Sequence, residues 1–522
     1  MGKIGKRVEK VEEEKTPLQV QLGKLARILA IAVGGITLLI FLFGEYLGYE
    51  PLQMFTTSVA IAVAAIPEGL VVTLTVILAL GMQRILAKKA VVRKLISAET
   101  LGSVTVICAD KTGTLTEGKM RVVDAATSNQ QPATREMLIR AAILCNDMRD
   151  PLEVAMWEWA EKELKTQKAN VKTIQEKYPR LDEIPFSPKH KYIATLHPGL
   201  LFISGAPEVI LGKCKIQNAK IKLWQRKLNE YGDKGYRLVG FGYKKTKKGK
   251  RKISHEDLKD FEWLGILVYE DPVRKGVKTA LKECQKAGIK VKVITGDYVS
   301  TAVAILKQLD LKLDTETQVM EGEELERISE KELAKRVAEV VLFARTNPEQ
   351  KFKIVQALKE KGGVVAMTGD GVNDAPALKT ADIGIVVGEA SDVAKETADM
   401  VLLDSNFATI VHAVEEGRTI FENIKKVVLY LLADSFTEVI LIGGSLALRL
   451  PLPVTAAQIL WVNLVEDTLP GIALAFEPEE KEVMDEPPRP RGAPILDLEL
   501  KTLIFIIGIF TDLVLFALFY WL

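Results

Sequence analysis

The sequence predicts a multi-pass α-helical membrane region joined to an α/β domain with a doubly wound parallel sheet, into which an α+β domain is inserted. Three observations predict it. Five long apolar blocks flank one charged stretch, Gln83 to Lys426. The two ends of that stretch alternate short apolar strands with amphipathic helical patterns. Its middle is more basic and carries strands of its own. Whole-chain composition agrees: 48% of the 522 residues are hydrophobic and 26% charged, yet mean hydropathy is +0.13, which requires the apolar residues to be segregated. With 70 basic against 68 acidic side chains, the net charge of +2 speaks against a nucleic-acid partner. Cys108, Cys145, Cys214 and Cys284 form no CxxC pair, so neither a disulfide framework nor a thiolate zinc site is expected.

Taken in order, Ile28 to Gly44 carries no charge, and the mixed-charge segment Lys3 to Glu14 before it argues against a cleaved signal peptide. Leu52 to Met82 carries only Glu68, Val427 to Leu448 carries Asp434 and Glu438, Thr455 to Phe476 carries Glu466 and Asp467, and Leu503 to Leu522 carries Asp512. Each block approaches or exceeds the roughly 20 residues needed to cross a bilayer. Arg7, Lys10, Lys15, Lys24, Arg84, Lys88, Lys89, Arg93, Lys94, Lys425, Lys426, Lys481, Arg489 and Arg491 fall on one side of five such spans. The loop Glu45 to Pro51 on the other side has no basic residue, so the basic side, with the large charged stretch, is expected in the cytoplasm.

Within the charged stretch, Val104 to Cys108, Val291 to Ile294, Val340 to Phe343, Val364 to Met367 and Ile383 to Val387 read as buried strands, with helical patterns such as Gly276 to Ala287 and Glu349 to Glu360 between them. The inserted part has strands at Tyr192 to Leu196, Leu200 to Ile203 and Leu238 to Tyr243, and a Lys-rich loop, Lys244 to Lys252. The expected organisation is residues 1–94 for the N-terminal segment and two helices, 95–120 and 266–423 for the two parts of the sheet domain, 121–265 for the insertion, and 424–522 for three further helices.

The chemistry is concentrated at strand ends. Asp110-Lys111-Thr112-Gly113-Thr114-Leu115-Thr116 follows the first strand of the sheet domain, and Thr295-Gly296-Asp297 and Thr368-Gly369-Asp370-Gly371-Val372-Asn373-Asp374 follow two others. Ligands bind at the carboxyl edge of such sheets. A lone strand-end aspartate is usually a turn former, but three convergent motifs fit a phosphoryl group with its magnesium. Asp110 and Asp370 can hold Mg²⁺, Thr295 and glycine amides such as that of Gly296 can donate to phosphoryl oxygens, and Lys351 supplies a compact positive charge. The Asp110 carboxylate can then attack in line and carry the phosphate covalently. No GxxxxGK[ST] occurs, so ATP is not held by a P-loop.

These three motifs, with the TGDGVNDAPAL of Thr368 to Leu378, resemble those of P-type cation-transporting ATPases, which are built on a haloacid dehalogenase-like core. The resemblance spans nearly the whole chain, from Lys15-Thr16-Pro17-Leu18 to the fifth span. It implies ATP as substrate, Asp110 as phosphorylated nucleophile, Mg²⁺ on Asp110, Asp370 and the Thr112 carbonyl, and supporting roles for Thr295, Asp297, Lys351, Asn373 and Asp374. It also implies that the insertion binds the nucleotide, through Phe186 against the adenine and through Lys191, Gly205, Arg237 and Glu153. Ser204-Gly205-Ala206-Pro207-Glu208 departs from the family's KGAPE, because Ser204 replaces the lysine.

The membrane region is where a transported ion is sought. An ionisable side chain at a helix centre costs about 2.5 to 3.5 kcal/mol on insertion scales, so Glu68, Asp434, Glu438, Glu466 and Asp467 should face one another or a cation. Asp434 and Glu438, and Asn463 and Asp467, are four apart and share helix faces, while Glu466 flanks Asn463. Pro67 frees carbonyls around Val63 and Ala64 to act as ligands beside Glu68. An oxygen cage with several carboxylates suits a hard cation, most simply a divalent one. Val63-Ala64-Ala65-Ile66-Pro67-Glu68-Gly69-Leu70 and Trp461-Val462-Asn463-Leu464-Val465 resemble the calcium-pump branch, and the resemblance carries Glu68, Asn463, Asp467 and the carbonyls of Val63, Ala64 and Ile66 onto one calcium site and Glu438 onto the other. Ser435 and Glu466 stand where that branch has asparagine and threonine, which leaves open a single calcium or manganese ion, or a monovalent cation exchanged for protons.

The family also carries an actuator domain with a Thr-Gly-Glu loop, and no such tripeptide occurs in this sequence. The expectation is a chain that forms a phosphoenzyme, hydrolyses it slowly, and needs a separate chain supplying the actuator domain in order to pump. Two other classes are a membrane phosphatase of the same core, against which Thr112 stands where an acid is usual, and a non-catalytic regulator of a complete pump.

Overall fold

The computed structural model describes residues 17–522 except 65–68, 130, 167–169, 248, 435, 467, 479, 481, 492, 493 and 495, and leaves out the side chains of 17–26, 29, 30, 64, 69, 71, 95, 96, 463, 466 and 468. Among the described residues, fourteen strands form two sheets. In chain order they are β1 (Ala90–Val92) and β2 (Val106–Asp110), then β3 (Arg121–Thr127), β4 (Asp182–Ile184), β5 (Tyr192–His197), β6 (Leu200–Gly205), β7 (Arg237–Lys245) and β8 (Glu262–Glu270), and finally β9 (Lys290–Ile294), β10 (Val319–Glu321), β11 (Leu342–Ala344), β12 (Val365–Gly369), β13 (Ile383–Val387) and β14 (Met400–Leu402).

The larger sheet has the order β1-β14-β13-β12-β2-β9-β11-β10. It is parallel from β14 to β10, while β1 runs antiparallel to β14. The all-parallel expectation therefore needs a correction. The three-residue β1 follows closely on the apolar helix Gly69–Ala87 and reaches the edge from the opposite direction, a common addition to doubly wound sheets. Alternation along β2 shows why its sequence is continuously apolar. Val106 and Cys108 pack with Ile354, Val355 and Leu378 on one face, while Ile107 and Ala109 pack with Val277, Ile305 and Ile410 on the other. Both faces are covered, so no polar residue is tolerated before the strand end.

The smaller sheet, β3-β8-β7-β6-β5-β4, is antiparallel throughout. Helices Pro132–Leu144 and Pro151–Thr166 cover one face, through Ile139, Met156 and Phe202. The Lys-rich loop expected after Tyr243 is partly structured. Lys244 belongs to β7, and its Nζ donates to the Lys259 carbonyl at 2.9 Å and lies 5.1 Å from the Phe261 ring.

Among the described residues, two helical runs are long and apolar enough to cross a membrane, 407–447 and 498–521. Ile31–Tyr46, Pro51–Val63 and Val72–Ala87 are apolar but shorter. Helix Phe407–Asp434 begins 20 residues before the apolar block that announced it, because Phe407, Ile410, Val411 and Val414 are buried against the large sheet. One rod thus runs from the core of the large sheet into the apolar region.

Candidate active site

The strand order places three motif-bearing strand ends side by side. Central β2 ends at Asp110, which pairs in register with Ile294 of β9, and Cys108 pairs with Met367 of β12. Asp110, Thr295 and Thr368 therefore sit on one carboxyl edge. The Asp110 amide donates to Thr368 Oγ1 at 2.7 Å, fixing the two strand ends to one another. Beyond Asp110 the chain is extended at Thr112 and enters the left-handed region at Gly113, φ 77°, where a side chain would be strained.

Lys351 lies at the centre. It comes from helix Pro348–Glu360, whose start is set by a reciprocal cap between Asn347 and Gln350. Its Nζ donates to Asp110 Oδ2 at 2.6 Å and to Asp374 Oδ1 at 2.8 Å, and the side chain is 10% exposed. Asp374 Oδ2 in turn accepts from the Asp370 amide at 3.3 Å and the Gly371 amide at 3.4 Å. Burial, opposed by Lys351 and reinforced by Asp374 and Asp370, raises the Asp110 carboxyl to about 6. Burial and then Asp374 raise Asp370 as well. Lys351 is held charged against its own burial by Asp110 and Asp374.

Thr295 is buried, its Oγ1 accepts from the Asp297 amide at 3.1 Å, and its carbonyl accepts from Thr346 Oγ1 at 3.1 Å. Gly296 and Asn373 are exposed at the same edge. Asp297 pairs with Lys111 and, at 3.2 Å, with Arg237 at the start of β7, so the insertion reaches the catalytic edge through an ion pair. Three carboxylates, Asp110, Asp370 and Asp374, face the single ammonium of Lys351, an excess of negative charge that a divalent cation would balance. Among the described residues no three of His, Cys, Asp and Glu converge as a finished metal cluster. Asp110, Asp370 and the Thr112 carbonyl, all oxygen donors, nevertheless fit Mg²⁺.

In the insertion, Phe186 is 57% exposed just before a turn in which Lys191 donates its amide to the Ser187 carbonyl at 2.7 Å. Gly205 pairs with Tyr192, and a Cβ there would lie 2.2 Å from the Lys191 carbonyl oxygen, so only glycine fits. Phe186, Lys191 and Gly205 thus share one end of the β5–β6 hairpin. Glu153 Oε2 accepts from the Arg149 amide at 2.9 Å, which fixes the turn before helix Pro151–Thr166. Ser204 is buried, with Oγ 3.4 Å from the Cys145 carbonyl.

Of the expected cation ligands, Val63 and Ala64 end helix Pro51–Ala64, Asn463 and Glu466 lie in helix Ala456–Glu466, Asp434 ends Phe407–Asp434, and Glu438 is in the first turn of Thr437–Ala447. Ile66, Glu68 and Asp467 lie outside the described residues.

Two residues that sequence reasoning passed over hold the loop after Asp110. Asp271 accepts from Thr116 Oγ1 at 2.6 Å and from the Gly118 amide at 2.8 Å, and Arg274 Nε donates to the Thr116 carbonyl at 2.9 Å. The signal was an Asp-Pro directly after the apolar strand β8.

Residues 104–382 match the haloacid dehalogenase-like hydrolase family, and residues 451–522 match the C-terminal region of cation-transporting ATPases. The chain belongs to the haloacid dehalogenase-like hydrolases, in their P-type cation-transporting ATPase branch. Among the P-type ATPases it resembles, Calcium-transporting ATPase 1 of Bacillus cereus is 38% identical, the alignment covering 98% of this chain and 61% of that protein. A cation-transporting ATPase of Synechocystis is 35% identical over 100% of this chain and 63% of its own length. Calcium-transporting ATPase type 2C member 1 of Homo sapiens is 38% identical, covering 96% and 59% respectively. The chain thus spans 59% to 63% of the length of these relatives.

Proposed function

We propose that this chain carries the phosphotransfer and ion-binding parts of an ATP-driven cation transporter, integral to a membrane by several spans, with the catalytic region on the cytoplasmic side. The observation that carries this reading is Lys351 Nζ held between Asp110 and Asp374 at the carboxyl edge of the parallel sheet. Above its raised pKa, the ionised Asp110 attacks the γ-phosphorus of ATP. The bond from Asp110 oxygen to phosphorus forms, the bond to the β,γ-bridging oxygen breaks, and ADP leaves. Lys351 balances charge on the phosphoryl oxygens, and Thr295 and the amides near Gly296 and Gly371 orient them. Mg²⁺, held by Asp110, Asp370 and the Thr112 carbonyl, would supply charge neutralisation at the same oxygens.

Phe186, Lys191 and Gly205 form the adenosine end of the nucleotide site. Arg237 meets the phosphates, a role that its ion pair with Asp297 supports. Glu153 supports this site through the turn it caps. Val63, Ala64, Ile66, Glu68, Asp434, Glu438, Asn463, Glu466 and Asp467 are proposed to hold the transported cation. Calcium is favoured because relatives of that name align along nearly all of this chain. The test is acid-stable labelling of the purified chain by γ-labelled ATP with Mg²⁺, with and without Ca²⁺. Label absent from Asp110→Asn and dependent on Ca²⁺ is expected. Label retained in Asp110→Asn, or none in the unaltered chain, would overturn the catalytic reading, and label indifferent to Ca²⁺ would overturn the choice of ion.

A further inference from the structure

Lys191 is exposed, and its backbone takes the left-handed conformation, φ 57°, that residues with a side chain adopt rarely. Such a conformation persists where the surroundings over-determine it, and it gathers at ligand clamps. Two backbone hydrogen bonds hold the lysine's own peptide groups. Its amide donates to the Ser187 carbonyl at 2.7 Å, and its carbonyl accepts from the Ala206 amide at 2.9 Å. The residues on either side are held by one group from a distant turn, His255. Its Nδ1 lies 2.8 Å from the Tyr192 hydroxyl oxygen, and its ring lies against that of His190, centroids 4.7 Å apart and planes tilted by 40°. Tyr192 is itself anchored, 4% exposed and with Lys213 Nζ 4.9 Å from its ring.

His255 can serve as a fixed post because its own turn is tied down. Ser254 and Asp257 cap one another, the Ser254 amide donating to Asp257 Oδ2 at 2.9 Å. Asp257 pairs with Lys250, and the Ile253 amide donates to Asp182 Oδ2 on β4 at 2.8 Å. The bond to Tyr192 is available in either charge state of the imidazole. With its proton on Nε2, the neutral ring accepts at Nδ1 from the phenol, and the doubly protonated ring donates from Nδ1 to the phenol oxygen. The contact is therefore a support and not a pH switch.

We propose that His255 is a positioning residue for the nucleotide: by gripping His190 and Tyr192 it keeps Lys191 in the left-handed conformation that aims its ammonium at the nucleotide. This rests on the nucleotide site proposed above at the end of the β5–β6 hairpin. Without the grip Lys191 spends part of its time in right-handed or extended conformations, and apparent affinity falls with the fraction of chains in the competent one.

The test is equilibrium dialysis of labelled ADP with Mg²⁺ against the full chain in detergent, which needs neither phosphorylation nor transport. His255→Ala is expected to weaken ADP binding about threefold to tenfold, the scale set by releasing one residue from the left-handed region. Tyr192→Phe, which keeps the ring and drops the hydroxyl, should weaken it less, and His255→Asn, whose amide can stand at the Nδ1 position, should recover part of the loss. Because His255 acts through Lys191, adding His255→Ala to Lys191→Ala should weaken binding no further, whereas a general loosening of the insertion would repeat its full factor in both backgrounds. Unchanged ADP binding in His255→Ala overturns the proposal, as does the full loss repeated beside Lys191→Ala. If Phe186→Ala and Lys191→Ala both leave ADP binding unchanged, the nucleotide site itself is misassigned and the proposal falls with it, so the two failures are told apart.

Discussion

Burial lifts the Asp110 carboxyl to about 6, and Lys351 holds it from rising further. A folded-state value above the ordinary one means that the folded chain binds this proton more tightly than the unfolded chain does. The stabilisation is complete below about pH 4 and is lost as pH rises to about 6. Roughly two units at 1.36 kcal/mol each make the ionised nucleophile cost about 3 kcal/mol at neutral pH. Asp110→Asn, which cannot ionise, should therefore unfold later than the unaltered chain at pH 8, by about 1–3 kcal/mol, with the gap closing below pH 4. Denaturation at the two pH values checks this, and equal stability at pH 8 would contradict it. Labelling of the unaltered chain should fall as pH drops through about 6. The residues at strand ends were legible because a parallel strand buried on both faces leaves its carboxyl end as the place for polar chemistry. Asp271 and Arg274 were passed over, because their work is done on the Thr116 hydroxyl and the main chain of residues 116–118, more than a hundred and fifty positions away, and an Asp-Pro after an apolar strand is by itself the mark of a turn.

The helix that leaves the sheet for the apolar region meets helix Leu95–Gly102 backbone to backbone. A Cβ at Gly417 would lie 2.4 Å from the Gly102 nitrogen, and one at Gly102 would lie 2.4 Å from the Gly417 carbonyl oxygen. Neither neighbour is a flexible side chain, so a methyl group must separate the helices. Gly417→Ala should destabilise the chain by about 1–3 kcal/mol in denaturant unfolding, whereas Gly362→Ala, with open space but φ 84°, would report strain alone. An unchanged midpoint for Gly417→Ala would show that the crossing can relax. This crossing was hidden in the sequence, because Phe407 to Lys426 carries charges and reads as part of the soluble stretch. The central strands were legible as apolar runs. The three-residue β1 and β10 at the two edges, and β14 beside β1, were not, since so few residues leave no period to show.

At the scale of the molecule, the proposed function requires that events at Asp110 be felt at the carboxylates of the apolar helices. Helix Phe407–Asp434 has 28 residues, about 40 Å at 1.5 Å each. It starts in the core behind the catalytic sheet and ends at Asp434. Midway, Arg418 fastens it to two other elements. Its Nη1 donates to the carbonyls of Val483 and Glu486 at 2.9 and 2.7 Å, and its Nη2 to the Ala287 carbonyl at 3.1 Å, at the end of helix Val277–Lys286 that packs under the sheet. The same 476–489 segment is held by Arg84 through the Phe476 and Glu477 carbonyls, by Asn423 at 3.0 Å through Glu477, and by Lys426 through Glu477 and Glu480. Arg418 therefore joins the catalytic domain, the rod and the connection into the last helix at one point, and none of its acceptors is a reacting group. Arg418→Ala should keep acid-stable labelling at Asp110 while weakening its dependence on Ca²⁺ by about tenfold or more in half-maximal concentration, the range of a typical coupling energy. Arg418→Lys, which cannot reach three carbonyls with one ammonium, should behave in the same direction. Loss of labelling itself would instead make Arg418 part of the fold of the catalytic sheet, and an unshifted Ca²⁺ dependence would place the coupling in the rod alone.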